Sequence, residues 1–144
     1  MSPETVRDAM VPEPTTLAAS ASAQEAGRCF ADTGEVRAIF VTEEGGRLLG
    51  VVTRKTLVRE VVAAGLEPGA VNLREIAEPP NFTLDAGLEL EGAFRFLEEH
   101  DLERVPVVEA GGRLVGVLSR AVVQRRLAED EPPEGESEPG SLVL

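Results

Sequence analysis

The chain repeats itself. Shifted by 67 positions, Val6–Glu43 falls on Leu73–Ala110 without a gap, and nine of the 38 pairs are identical, among them Arg7/Arg74, Pro12/Pro79, Thr16/Thr83, Leu17/Leu84, Arg28/Arg95 and Val41/Val108. Omitting Glu44 changes the shift to 66, and Gly45–Arg59 then falls on Gly111–Arg125 with eight identities in 15 pairs. GGRLLGVVTRKTLVR thus faces GGRLVGVLSRAVVQR. A run of this length with one indel is a duplication, and it restricts the fold to two like units.

Each unit reads alike. A short helix comes first, with Pro3 at a position that tolerates proline in copy one, and an Asn72/Glu75 capping box in copy two. Brief extended pieces follow at 15–18 and 82–85. The apolar positions Ala23, Ala26, Gly27, Phe30 and Leu90, Ala93, Phe94, Leu97 then fall on the i, i+3, i+4, i+7 stripe of a helix with one buried face. Segments 37–42 and 104–109 read as buried strands that turn at Gly45-Gly46 and Gly111-Gly112 into strands 47–53 and 113–119. A last helix runs from Arg54 to about Ala64 and from Arg120 to about Ala128. The fold class is α/β of the α+β type, a β-α-β-β-α unit used twice. Residues 1–68 hold the first repeat, 69–128 the second, and 129–144 an acidic Pro/Glu-rich tail without periodicity.

Composition narrows the function. The formal net charge of −12 and an aromatic content of 3% exclude long nucleic acids, whose phosphates need cation arrays and whose bases need stacking platforms. One cysteine makes no internal disulfide and one histidine anchors no usual zinc site, so no metal is expected. With no signal-like apolar stretch and no run near the roughly 20 apolar residues of a membrane span, a cytoplasmic protein is expected. The tail carries six of the 26 acidic residues and none of the 14 basic ones. Six of the cations, Arg54, Lys55, Arg59, Arg120, Arg125 and Arg126, lie in two matching segments. Local placement therefore leaves small phosphorylated ligands open.

The V-R-D-A-M-V-P run at Val6–Pro12, the strand around Pro106-Val107-Val108, and the G-x-h-h-G-h-h-[ST]-R pattern at both hairpins (h, apolar) resemble a tandem pair of cystathionine-β-synthase-type (CBS) domains, a Bateman module. The resemblance covers about residues 6 to 128. It implies a pseudo-twofold pair with two clefts that take adenosine ligands such as AMP, ATP or S-adenosylmethionine, with no cofactor required. It also implies a homodimer formed through the repeat helices. As a stand-alone module, such a chain would regulate a partner protein in trans.

The resemblance places the ligand-binding residues at Thr16, Ala38, Thr53, Arg54 and Thr56 in one repeat and Thr83, Val105, Ser119, Arg120 and Val122 in the other. Family members carry an Asp three positions after the Thr or Ser, where a carboxylate holds the ribose hydroxyls. Here those positions are Thr56 and Val122, so Thr56 is left with one hydroxyl contact and Val122 with none. The first cleft is the better candidate. A second departure is Ile39, opposite Pro106 under the 67 shift.

The same residues have ordinary structural uses. Thr53 and Ser119 suit helix N-caps, and Arg59, Arg125 and Arg126 complement helix C-terminal ends. His100 reads as a helix-end histidine and Cys29 as a small core or interface hydrophobe. No catalytic constellation stands out, so no enzymatic activity is expected. Two functions follow: a regulatory module sensing an adenine nucleotide or related metabolite, or a ligand-free homodimeric interaction scaffold. The acidic tail either solvates the chain or folds against a basic surface such as the arginines of the second helices, with its apolar end, Ser141–Leu144, docked.

Overall fold

A computed structural model describes residues 4–12 and 14–130. Pro3 and the tail from residue 131 onward lie outside the described residues. The helices are α1 (Val6–Ala9), α2 (Ala23–Asp32), α3 (Arg54–Leu57, running into a π-helical turn over Val58–Val62), α4 (Leu73–Ile76), α5 (Leu90–Glu99) and α6 (Arg120–Asp130). The strands are β1 (Val11–Pro12), β2 (Thr16–Ala18), β3 (Ile39–Thr42), β4 (Leu48–Val52), β5 (Leu84–Asp85), β6 (Arg104–Val108) and β7 (Leu114–Ser119).

Local chemistry explains the main boundaries. The N–H of Glu25 donates to Ser22 Oγ at 3.1 Å and the N–H of Ser22 donates to Glu25 Oε1 at 3.1 Å, a reciprocal cap that starts α2. The expected counterpart at α4 holds one arm, Asn72 N–H to Glu75 Oε2 at 3.1 Å. Gly45 and Gly46 turn the first hairpin at φ +83° and +84°, conformations that cost a side-chain-bearing residue.

Two sheets form. One orders its strands β2-β3-β4, with β2 parallel to β3 and β3 antiparallel to β4; the other orders them β1-β7-β6-β5. The extra strand β1 has a counterpart in the first sheet. Glu78 bridges Val51 of β4 just as Val11 pairs with Val117 of β7. Further bridges obey the same symmetry: Thr5 with Glu89 mirrors Ser22 with Asn72, and Arg47 with Arg113 maps onto itself across the pseudo-twofold axis.

The cores are exchanged between the repeats. Val6 and Ala9 of α1 lie in one core with Leu84, Leu90, Leu97, Val107 and Leu118, whereas Leu73 and Ile76 of α4 lie in the other with Phe30, Ile39, Val41 and Val52. Backbone bonds secure the exchange, Val6 N–H to Leu88 O at 2.8 Å and Leu73 N–H to Ala21 O at 2.8 Å. Burying a leucine such as Leu73 contributes about 1.5–3 kcal/mol. The division at residues 68/69 is thus one of the chain and not of the cores.

Strand pairing also corrects the position of the indel. Ile39 pairs with Val52 as Val105 pairs with Leu118, so the shift is already 66 at β3. The extra residue lies in the loop after α2, where residues 33–38 answer to 100–104, and not at Glu44. Sequence identity misled at Val41/Val108, because the structural equivalent of Val41 is Val107. Two consequences follow. Ile39 is the counterpart of Val105 and Phe40 that of Pro106, so Ala38, paired with Val105 by the uncorrected shift, falls in the loop before β3.

Candidate functional site

Each sheet shows one face to its core. Ile39, Val41 and Val52 face the first core, so the alternation of the strands carries Phe40 and Val51 to the opposite face. Pairing there lines up Thr16, Phe40, Val51 and Glu78 across the sheet. The duplicate row is Thr83, Pro106, Val117 and Val11, in which the last three pair directly. One row therefore ends in a carboxylate and the other in an exposed valine.

Both end residues come close because a glycine lies beneath them. A Cβ on Gly50 would stand 2.8 Å from the carbonyl oxygen of Glu78, and one on Gly116 would stand 2.8 Å from the carbonyl oxygen of Val11. The second glycine of the repeated hairpin pattern is thus what lets a segment from beyond the hairpin lie against β4 and β7.

In the first repeat a polar network fills the junction between β4 and α3. Thr56 N–H donates to Thr53 Oγ1 at 3.2 Å, Thr53 N–H donates to Thr56 Oγ1 at 3.0 Å, and the two hydroxyl oxygens are 3.0 Å apart. Thr56 Oγ1 then donates to Glu78 Oε2 at 2.9 Å, and Arg59 Nη2 donates to the same oxygen at 2.6 Å. The Thr56 hydroxyl, then the Arg59 guanidinium, hold the Glu78 carboxyl below the usual carboxylate range against the opposing effect of burial, with Lys55 adding a smaller electrostatic pull. Thr56 is 1% exposed and the Glu78 side chain 52% exposed, so the group presented outward is Glu78. The contact expected of Thr56 is made to Glu78.

The second junction is simpler. Val122 N–H meets Ser119 Oγ at 3.5 Å, and Val122 brings no polar group. By the corrected register Ala121 replaces Lys55, Arg125 matches Arg59, and Val11 replaces Glu78.

The two arginines expected at the ligand are engaged elsewhere. Arg54 donates to the carbonyls of Val36 (2.8 Å), Phe30 (3.1 Å) and Gly34 (3.4 Å), and its guanidinium lies 4.8 Å from the centre of the Phe30 ring. Arg120 pairs with Glu103 at 2.8 Å and Asp101 at 3.4 Å. Val105 is buried in the second core, so its side chain does not reach the outer face, and Ala38 lies off the row. Thr16, Thr53, Thr83, Ser119 and Val122 lie on or beside the two rows. Sequence reasoning missed Phe40, Glu78 and Val11. The 67 shift pairs Val11 with Glu78, and that contrast was the available signal.

The duplicated rows, exchanged segments and matching junctions meet a family model, the CBS domain, which matches residues 6–63 and 73–129. The chain belongs to the CBS domain family. The chain is 32% identical over 95 residues to Hypoxic response protein 1 of Mycobacterium tuberculosis, a match spanning 66% of this chain and 66% of that relative. A crystal structure of Hypoxic Response Protein I with two coordinated zinc ions superposes with a TM-score of 0.72 at 28% identity, covering 85% of this chain and 98% of that one. CBSX2 in complex with AMP superposes with a TM-score of 0.68 at 25% identity, covering 87% and 96%. A CBS pair in complex with 5-methylthioadenosine and S-adenosylmethionine shares the fold at 18% identity, with a TM-score of 0.65.

Among the described residues of this CBS pair, no group of three or more His, Cys, Asp or Glu side chains is placed to hold a metal ion, and no helix is long and apolar enough to cross a membrane. His100 ends α5 with its ring against Phe96 and Phe82, at centroid distances of 4.3 and 4.6 Å. Cys29 packs half-buried against the first core.

Proposed function

We propose that this CBS pair is a regulatory module, not a catalyst, that binds an adenine nucleotide or related metabolite such as AMP, ATP or S-adenosylmethionine and passes the binding event to a partner protein in trans. The observation that carries this reading is the first outer row. Along that row an aromatic residue, a hydroxyl-rich junction and a carboxylate lie side by side, and an apolar surface with few polar groups suits a nucleoside. Similarity to CBSX2, solved with AMP, supports it. The module works in the cytoplasm as a homodimer paired through its repeat helices, and it requires no bound cofactor to fold.

Thermal unfolding of the full chain against AMP, ADP, ATP, S-adenosylmethionine and NAD tests the proposal. A ligand at about 100 times its Kd stabilises the native state by about 2.7 kcal/mol, which raises the melting temperature by several degrees. A flat response across the panel refutes ligand sensing.

One observation favours the second reading, a ligand-free interaction scaffold. The groove between α2 and the π-helical turn after α3 has a volume of about 360 Å³ and is lined by Ala23, Gly27, Ala31, Leu57, Val61 and Val62, among others. Beside it Val58 and Val62 are 57% and 69% exposed. The corrected equivalents of these two valines are Gln124 and Ala128, so the apolar helix face belongs to the first repeat. Sedimentation of Val58→Asp/Val62→Asp tests whether that face joins two copies; a dimer that persists in the variant removes this support.

A further inference from the structure

We propose that Glu78 is the ligand-selecting residue of the first cleft, accepting the vicinal hydroxyls of a ribose, and that the second cleft lacks this function, so that each chain takes one nucleoside ligand. This rests on the reading of the module as a nucleoside sensor and adds which cleft binds and through which atom. Glu78 stands on neither the strand nor the helix of its own cleft. It arrives from the segment after α4, on the far side of the duplication, and is fixed there by two backbone bonds to Val51, at 2.8 and 2.9 Å.

The division of labour between its oxygens carries the inference. Oε2 accepts from both Thr56 and Arg59, whereas Oε1 accepts no hydrogen bond from the described residues. A carboxylate anchored through one oxygen presents the other in a fixed direction with its lone pairs open, and two adjacent hydroxyls are the donors a nucleoside offers to such an acceptor. Thr56 and Arg59 are positioning residues, since Thr56 is buried and Arg59 acts through the carboxylate. Lys55 adds a cation within electrostatic range of Glu78. At the second cleft the corresponding residues are Val11, Val122, Arg125 and Ala121. Arg125 remains there, with no counterpart of the Glu78 carboxylate or of the Thr56 hydroxyl.

Calorimetry on the full chain with AMP and 2′-deoxy-AMP tests this. Wild type should bind one AMP per chain and discriminate against the deoxy compound about tenfold or more, the size of a hydrogen bond to a charged group. Glu78→Gln, an exposed substitution of equal shape, should weaken AMP by a similar factor and erase the discrimination. Thr56→Ser should retain binding and Thr56→Val should lose most of it. Val11→Glu/Val122→Thr, which rebuilds the trio with Arg125, should add a second site. Two AMP per wild-type chain, or a Glu78→Gln protein that still discriminates, overturns the assignment while leaving nucleoside sensing intact. Equal weakening of both nucleotides in Glu78→Gln overturns the ribose contact. If neither nucleotide binds wild type while another adenosine compound from the thermal panel does, the AMP assignment fails and sensing stands; if none of them binds, sensing itself fails. Melting curves of each variant verify that it folds.

Discussion

The arginine that opens α3 and the arginine that opens α6 occupy the same place in the two repeats and do different work. Arg54 gathers the carbonyl of Phe30 in α2 and those of Gly34 and Val36 in the loop after it, and caps the Phe30 ring. Arg120 forms ion pairs with two exposed carboxylates. The two connections differ by the inserted residue: residues 33–38 present the Gly34 and Val36 carbonyls to the guanidinium, where residues 100–104, which run into β6, present the Asp101 and Glu103 carboxylates. The outer rows diverge too, the first ending in the carboxylate of Glu78 and the second in the apolar Val11. Duplication conserved the trace of the chain, and the divergence fell on residues that fill positions left free by the backbone.

That contrast can be broken in several places. The largest effect is expected at the exchanged segments. Leu73→Ala should destabilise the protein by about 2–5 kcal/mol in chemical denaturation, because a fully buried leucine leaves a cavity in the first core. A loss below about 1 kcal/mol would mean that α4 contributes little to that core. Gly50→Ala comes next, at about 1–3 kcal/mol, since its methyl group meets the Glu78 carbonyl, and Gly116→Ala should match it within error. Unequal costs would show that the two close approaches are not equivalent.

Arg54→Ala and Arg120→Ala sharpen the opening comparison. The first removes bonds from a charge to carbonyls and should cost about 1.5–3 kcal/mol. The second removes pairs whose acidic partners are exposed and should cost about 0–1 kcal/mol. Equal losses would erase the distinction. The smallest effect is on acid stability. Because folding lowers the carboxyl pKa of Glu78, its stabilising contribution is complete above the unfolded glutamate pKa and is lost as pH falls through the folded value. Glu78→Gln should therefore flatten the acid limb of the stability curve slightly, and an unchanged limb would count against the Thr56 and Arg59 contacts.

Much of this architecture was legible in the sequence. Periodicity placed α2 and α5, and the Gly-Gly pairs placed both hairpins, because these are local properties of the chain. The position of the indel was not legible, since Val41/Val108 is an identity that spans the wrong register and only strand pairing reveals it. Phe40 was hidden by the same error. Glu78 was hidden for a different reason: its importance comes from a contact between segments 22 residues apart, Thr56 and Glu78, on opposite sides of the repeat boundary. Motif reading looked for the missing carboxylate three positions after the threonine and not across the duplication. The roles of Arg54 and Arg120 were likewise fixed by loop carbonyls and carboxylates that no spacing rule reports.

The exchange of α1 and α4 also governs the order of events during synthesis. Residues 6–9 leave the ribosome well before residues 84–123, which make the pocket they fill. The first repeat is equally incomplete until Leu73 and Ile76 have emerged. Neither duplicate can close on its own turn, so folding waits on contacts that span most of the chain, and such contacts are entropically slow to form. Because each core takes residues from both repeats, a nascent chain that ends between them holds an unfinished core with apolar surface exposed.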